Sequence, residues 1–111
     1  MVDDDRDIRD ALCELLEDEG YRAVSASNGQ EALVYLNSRE PPCVILLDLM
    51  MPVMDGWEFR RRQQSDPRWS QIPVVVITAA GKYGASSIAA EQILPKPLQL
   101  DRVLEALAQY C

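Results

Sequence analysis

With 111 residues and a mass of 12.5 kDa, the chain has room for one domain, a single core between helical layers and a sheet. A net charge of −7 argues against direct binding to nucleic acid by bulk electrostatics. No apolar run approaches the ~20 residues that span a bilayer and no signal-peptide pattern opens the chain, so a soluble, cytoplasmic protein without membrane insertion is expected.

The chain contains no histidine, which excludes Ser-His and Cys-His dyads, histidine metal ligands and a phosphohistidine of its own. Cys13, Cys43 and Cys111 are odd in number and lack metal-type spacing, so they are expected as core or surface thiols rather than as a disulfide. Acid is concentrated at one end, where residues 1–20 hold nine of the 18 Asp and Glu. Such a cluster suits either a solvated helix face or the start of a cation site.

Met1-Val2 leads into Asp3-Asp4-Asp5, like the last two residues of a first strand running into carboxylates. From Arg6 to Glu19, Ile8, Ala11, Leu12 and Leu15 fall at i, i+3, i+4 and i+7, which predicts an amphipathic helix capped by Asp5 or a neighbouring aspartate and stopped at Gly20. Tyr21 to Ala26 suits an edge strand. Asn28-Gly29 opens a second helix through about Ser38, with Ala32, Leu33 and Leu36 inward.

After Pro41-Pro42, Val44-Ile45-Leu46-Leu47 is an unbroken apolar run of strand length ending in Asp48, the pattern of a strand buried on both faces. Pro52 and Asp55-Gly56 then mark a turn before a third helix from about Trp57 to Gln64, with Phe59 inward and Arg60-Arg61-Arg62 on its wet face. Trp69 is expected over the loop that follows. Pro73 to Thr78 is a second β-branched run that again ends in a polar residue. Residues 79–92 include Gly81, Gly84, Ser86 and Ser87, so a fourth helix is expected to be short, about Ala85 to Glu91. Ile93-Leu94 is the last strand, ending in Pro95-Lys96-Pro97. Leu100, Val103, Leu104 and Leu107 mark a final helix over about Gln99 to Gln109.

Alternation of this kind predicts an α/β fold, a parallel sheet with helices on both faces joined by right-handed crossovers. The flavodoxin-like strand order 2-1-3-4-5 is the natural five-stranded solution. It sets the first and third strands side by side, so Asp3, Asp4 and Asp48 converge at the carboxyl edge. Three crowded carboxylates call for a cation, and Mg²⁺ suits few protein ligands plus waters and a phosphate. Thr78 and Lys96 bring a hydroxyl and an ammonium to the same edge. That set suits phosphoryl transfer to a carboxylate: Asp48 as nucleophile, Mg²⁺ and Lys96 as counter-charges, Thr78 as donor. Taken singly, Asp48 could merely cap its strand, Thr78 could bond backbone, and Lys96 could face solvent; their conjunction at four strand ends favours function.

VDDD at 2–5, LLDLMMPVMDG at 46–56, PVVVITA at 73–79 and LPKP at 94–97 resemble the receiver domain of bacterial response regulators, and the likeness covers essentially the whole chain. The resemblance implies a (βα)5 sandwich over residues 1–111 as a single receiver without an output domain. It implies that Asp48 accepts a phosphoryl group from a sensor histidine kinase or histidine phosphotransfer protein and switches binding to a downstream protein. It further implies that Asp4, Asp48 and the backbone carbonyl of Met50 ligate Mg²⁺, that Asp3 holds a metal-bound water, and that Thr78 and Lys96 contact the phosphoryl group. The Lys96-Pro97 bond resembles one that receivers hold cis. On this reading the chain is no enzyme beyond catalysing its own phosphorylation and slow autodephosphorylation.

Four departures from the family pattern stand out. The first strand begins almost at its end, so the polypeptide is expected to start several residues earlier, and a central gap would leave ladder groups of its neighbours unpaired. Ile93 stands where receivers usually carry an aromatic. The stretch with the fourth helix is short, and Ala89-Ala90 replaces a glycine-alanine pair. Two alternatives follow: a degenerate receiver that only docks proteins, and an aspartyl-phosphate phosphatase, a class that looks for a second aspartate where this chain has Met50.

Overall fold

Two β-branched, apolar runs set the frame. The computed structural model describes residues 1–38, 41–48, 53–78, 90, 92–95 and 99–111. Ile45–Asp48 forms β1 and Val74–Thr78 forms β2, and every residue of both is buried. They pair in parallel, with Ile45 opposite Val74 and Asp48 opposite Ile77. Gln92–Pro95 forms β3, parallel to β2, with Thr78 opposite Pro95. Val2 makes isolated parallel bridges to Ala26 on one side and Leu47 on the other. Across the sheet the order is therefore Ala26, Val2, β1, β2, β3. This is the flavodoxin-like arrangement, with the expected first strand, reduced to Val2, beside the third.

Four helices are described: α1 (Arg6–Asp18), α2 (Gly29–Ser38), α3 (Gly56–Ser65) and α4 (Leu100–Tyr110). The starts of α1, α2 and α3 follow from side-chain capping, whereas α4 follows Gln99 with no side-chain cap. Asp5 Oδ1 accepts the N–H groups of Asp7 and Ile8, Asn28 Oδ1 that of Glu31, and Asp55 Oδ1 that of Glu58. Because side chains alternate across a strand, the two faces of the sheet build two cores. Ile45, Leu47, Val74 and Val76 pack with Ala32 and Leu36 of α2 and Phe59 of α3. Leu46, Val75 and Ile77 pack with Leu12 and Leu16 of α1 and Val103, Ala106 and Leu107 of α4.

Tertiary packing departs from the sequence pattern in four places. Tyr21 to Ala26 does not form a strand; among these residues only Ala26 makes a ladder bridge, to Val2. The buried stripe of α1 runs through Leu12 and Leu16, while Leu15 is 44% exposed, a rotation of one position from the expected face. Arg60 is buried rather than on the wet face: its Nη1 donates to Gln63 Oε1, and Gln63 Nε2 donates in turn to the carbonyls of Trp69 and Ile72. This network satisfies a loop end that the sheet cannot reach. Cys43 and Cys111 are joined in a disulfide, with Cα atoms 5.5 Å apart, because α4 ends beside the entry to β1; only Cys13 remains a thiol, and burial raises its pKa. Trp69 packs against the core as expected, with the Arg68 guanidinium 4.6 Å from its ring centroid. The expected helix over Ala85 to Glu91 and the Lys96-Pro97 bond lie outside the described residues.

Candidate functional site

The site is built by the backbone ladder at the carboxyl edge. Val2 N–H donates to the Leu46 carbonyl (2.8 Å), Asp48 N–H to the Val2 carbonyl (2.9 Å) and Asp3 N–H to the Ala26 carbonyl (3.1 Å). These bonds lock the register so that the residues after Val2 meet the end of β1. Asp3 and Asp48 are buried at 0% and 3% exposure, and Asp4 is exposed. One carboxylate oxygen from each of Asp3, Asp4 and Asp48 lies within 4.8 Å of the other two.

The turn into α1 holds the cluster in shape. Asp5 donates its N–H to Asp3 Oδ1 at 2.9 Å, while Asp5's own carboxylate caps the helix. From the second turn, Arg9 Nη1 donates to the Asp3 carbonyl at 2.8 Å. Sequence reading gave Arg9 no role. Its only signal was position, one helical turn after the capping Asp5, where a long side chain folds back toward the helix start.

On the neighbouring strand, Thr78 lies one residue beyond the partner of Asp48 and is 3% exposed, so its hydroxyl is at the same edge as the cluster. Pro95 pairs with Thr78, bringing the end of β3 there too. Met50 and Lys96 lie outside the described residues. Beyond the cluster, Val53 is 84% exposed with φ +68°, a left-handed backbone that a β-branched residue rarely adopts. Nothing in the sequence pattern announces it.

Carboxylates so close repel. For two unit charges 4.8 Å apart, the buried Asp3–Asp48 pair costs about 3.5 kcal/mol at an effective dielectric near 20. The donor set is all carboxylate oxygen, partly buried and open on the Asp4 side, which fits a hard divalent cation and no soft metal.

The sequence profile of the response regulator receiver domain matches residues 1–108. The chain belongs to the response regulator receiver family. Among its relatives, the response regulator Rre1 of Synechocystis sp. is 33% identical over 98% of this chain, which spans 48% of that protein's length. Among solved structures, the chemotaxis protein CheY4 of Vibrio cholerae superposes with a TM-score of 0.87 at 29% identity, covering 99% of this chain and 94% of that one. The response regulator TrrA of Thermotoga maritima, solved in complex with Mg²⁺-BeF, superposes with a TM-score of 0.86 at 28% identity, covering 99% and 95%. The chain spans about half the length of several regulators it matches. In this receiver the carboxylates of Asp3, Asp4 and Asp48 meet and Thr78 ends the neighbouring strand, and among the described residues no helix is long and apolar enough to cross a membrane.

Proposed function

We propose that this receiver is a magnesium-dependent phosphoacceptor switch whose phosphorylated residue is Asp48. The observation that carries the reading is a buried strand-end carboxylate, Asp48, crowded by Asp3 and Asp4 beside the Thr78 end of β2. Asp48 attacks the phosphorus of a phosphohistidine on a sensor kinase or phosphotransfer protein. The new O–P bond forms as the P–N bond breaks, and the imidazole leaves with the bonding pair and takes up a proton. Asp4 and Asp48 would hold Mg²⁺, with Asp3 holding one of its waters, and the ion when bound supplies the positive charge that offsets the carboxylates and the transferred group. Thr78 donates a hydrogen bond to a phosphoryl oxygen. By the family resemblance, Met50 adds a carbonyl ligand and Lys96 a counter-charge.

The phosphorylated form biases a pre-existing equilibrium between two surfaces, and the signal leaves through contact with a downstream protein. Residues 1–111 act as a single receiver, and their own chemistry is confined to gaining and slowly losing the phosphoryl group. The test is labelling by acetyl phosphate, with and without Mg²⁺, of the native chain and Asp48→Asn. Labelling of the native chain alone, and only with Mg²⁺, is expected; labelling of Asp48→Asn to the same extent overturns the assignment.

One observation favours a second reading, a docking module that never uses Asp48. Ile93 is 43% exposed on β3, an apolar surface where receivers usually carry an aromatic. Beryllofluoride with Mg²⁺ separates the two: a switch shifts the amide resonances near Thr78, and a passive dock leaves them in place.

A further inference from the structure

Arg9 belongs to the inward stripe of α1. With the buried Leu12 and Leu16 it falls at i, i+3 and i+7 on the face that meets the sheet, and it is half-buried there. It is the member nearest the helix start, and long helical side chains turn back toward that end. The stripe therefore finishes on a cation at the carboxyl edge of the sheet. Acids surround it in sequence, and Arg6 follows charge, pairing with Asp10 at 3.5 Å. Arg9 does not. Among the described residues it forms no ion pair and its Nε is buried without an acceptor, while Nη1 donates to the neutral carbonyl of Asp3 at 2.8 Å.

That carbonyl shares a planar peptide with the Asp4 N–H. The next peptide is pinned as well, because the Asp5 N–H donates to Asp3 Oδ1 at 2.9 Å. Asp4 thus sits between two fixed peptide planes, which sets the direction of its side chain. Its carboxylate is exposed and has no hydrogen bond of its own among the described residues. Backbone restraint is what keeps it with Asp3 and Asp48, and Arg9 supplies one of the two restraints.

Arg9 acts on a bound cation in two opposing ways. As a charge it repels a divalent ion and weakens binding. As a clamp it holds Asp4 in place before the ion arrives and strengthens binding. Removing it therefore changes affinity in a direction that tells which effect rules. Salt screens the charge of a half-exposed side chain, whereas groups that orient metal ligands are worth on the order of 10–100-fold in affinity. The clamp prevails.

We propose that Arg9 is a positioning residue for the magnesium site: through the Asp3 carbonyl it orients Asp4 and so sets how tightly the cluster takes up the ion. This rests on the phosphoacceptor reading of the cluster and adds a residue that touches neither the ion nor the phosphoryl group.

The test is calorimetric titration of the full chain with MgCl2, comparing the native chain with Arg9→Met and Arg9→Lys, beside amide spectra and urea unfolding in chelator. Methionine keeps the apolar stem and loses charge and donors; lysine keeps the charge and a donor. Arg9→Met should bind Mg²⁺ about tenfold more weakly than the native chain, with Arg9→Lys between them. In chelator the Asp4 amide resonance should shift in Arg9→Met, since its peptide has lost a hydrogen bond. Should urea show that Arg9→Met does not fold, Arg9→Gln takes its place as the neutral variant with the same expected direction. Unchanged or tighter binding by the neutral variant, or no recovery in Arg9→Lys, overturns the inference and leaves the Asp48 assignment standing. A native chain that binds no Mg²⁺ overturns both.

Discussion

Replacing Asp48 by asparagine keeps the shape of the side chain and removes one charge from the acidic cluster. The Asp3–Asp48 oxygens lie within 4.8 Å, both groups are buried, and the repulsion between unit charges there is about 3.5 kcal/mol at an effective dielectric near 20. Asparagine relaxes most of that but leaves one amide N–H₂ to satisfy, which costs about 1–2 kcal/mol. The net expectation is that Asp48→Asn is more stable than the native chain by about 1–2 kcal/mol in chelator at neutral pH. With magnesium the difference should shrink or reverse. An ion at ten times its Kd stabilises the native chain by about 1.4 kcal/mol through mass action, while the variant has lost a ligand. Urea unfolding with chelator and with MgCl2, read by tryptophan fluorescence, gives both numbers. If Asp48→Asn is less stable in chelator, or if magnesium stabilises the two chains equally, the carboxylates are not crowded in the way the site requires.

Val53→Asn should stabilise the protein by about 1 kcal/mol, since Val53 is 84% exposed at φ +68° and asparagine tolerates the left-handed region; an unchanged melting temperature in calorimetry counts against the strain. Gly29→Ala should destabilise by about 1–2 kcal/mol, because its Cβ would meet the Met54 carbonyl oxygen at 3.1 Å and the Met54 side chain at 2.9 Å; chemical denaturation measures it. Cys111→Ser, or reduction of the native chain, removes a link between residues 68 apart in sequence and should cost about 2–4 kcal/mol in thermal unfolding, with dithiothreitol having no further effect on the variant. Met50 and Ala80, two residues beyond Asp48 and Thr78, carry no side chain that orients an attacking water. The aspartyl phosphate should therefore be long-lived, and loss of radiolabel from purified phosphoprotein within seconds refutes this.

Local signals were legible in the sequence wherever the physics is local. The starts of α1 and α3 are written in Asp5 and Asp55, whose carboxylates cap N–H groups two or three residues on. The unbroken runs ending in Asp48 and Thr78 announce strands buried on both faces, because only that setting tolerates four or five apolar residues in a row. Strand ends in an alternating α/β chain share one edge, so element order by itself puts Asp3, Asp4 and Asp48 on the same edge as the end of the strand that carries Thr78.

Only tertiary structure decided what depends on a partner distant in sequence. Residues 21–25 have strand composition but no strand pairing, since a ladder depends on a neighbouring segment and composition alone does not supply one. The charge of Arg60 pointed to solvent, yet a buried Gln63 draws it inward; the sulfurs of Cys43 and Cys111 meet because α4 happens to end over the start of β1. Periodicity specifies which residues share a face. Which face meets which, and what is left open between them, is settled by long-range packing that no short window of sequence contains.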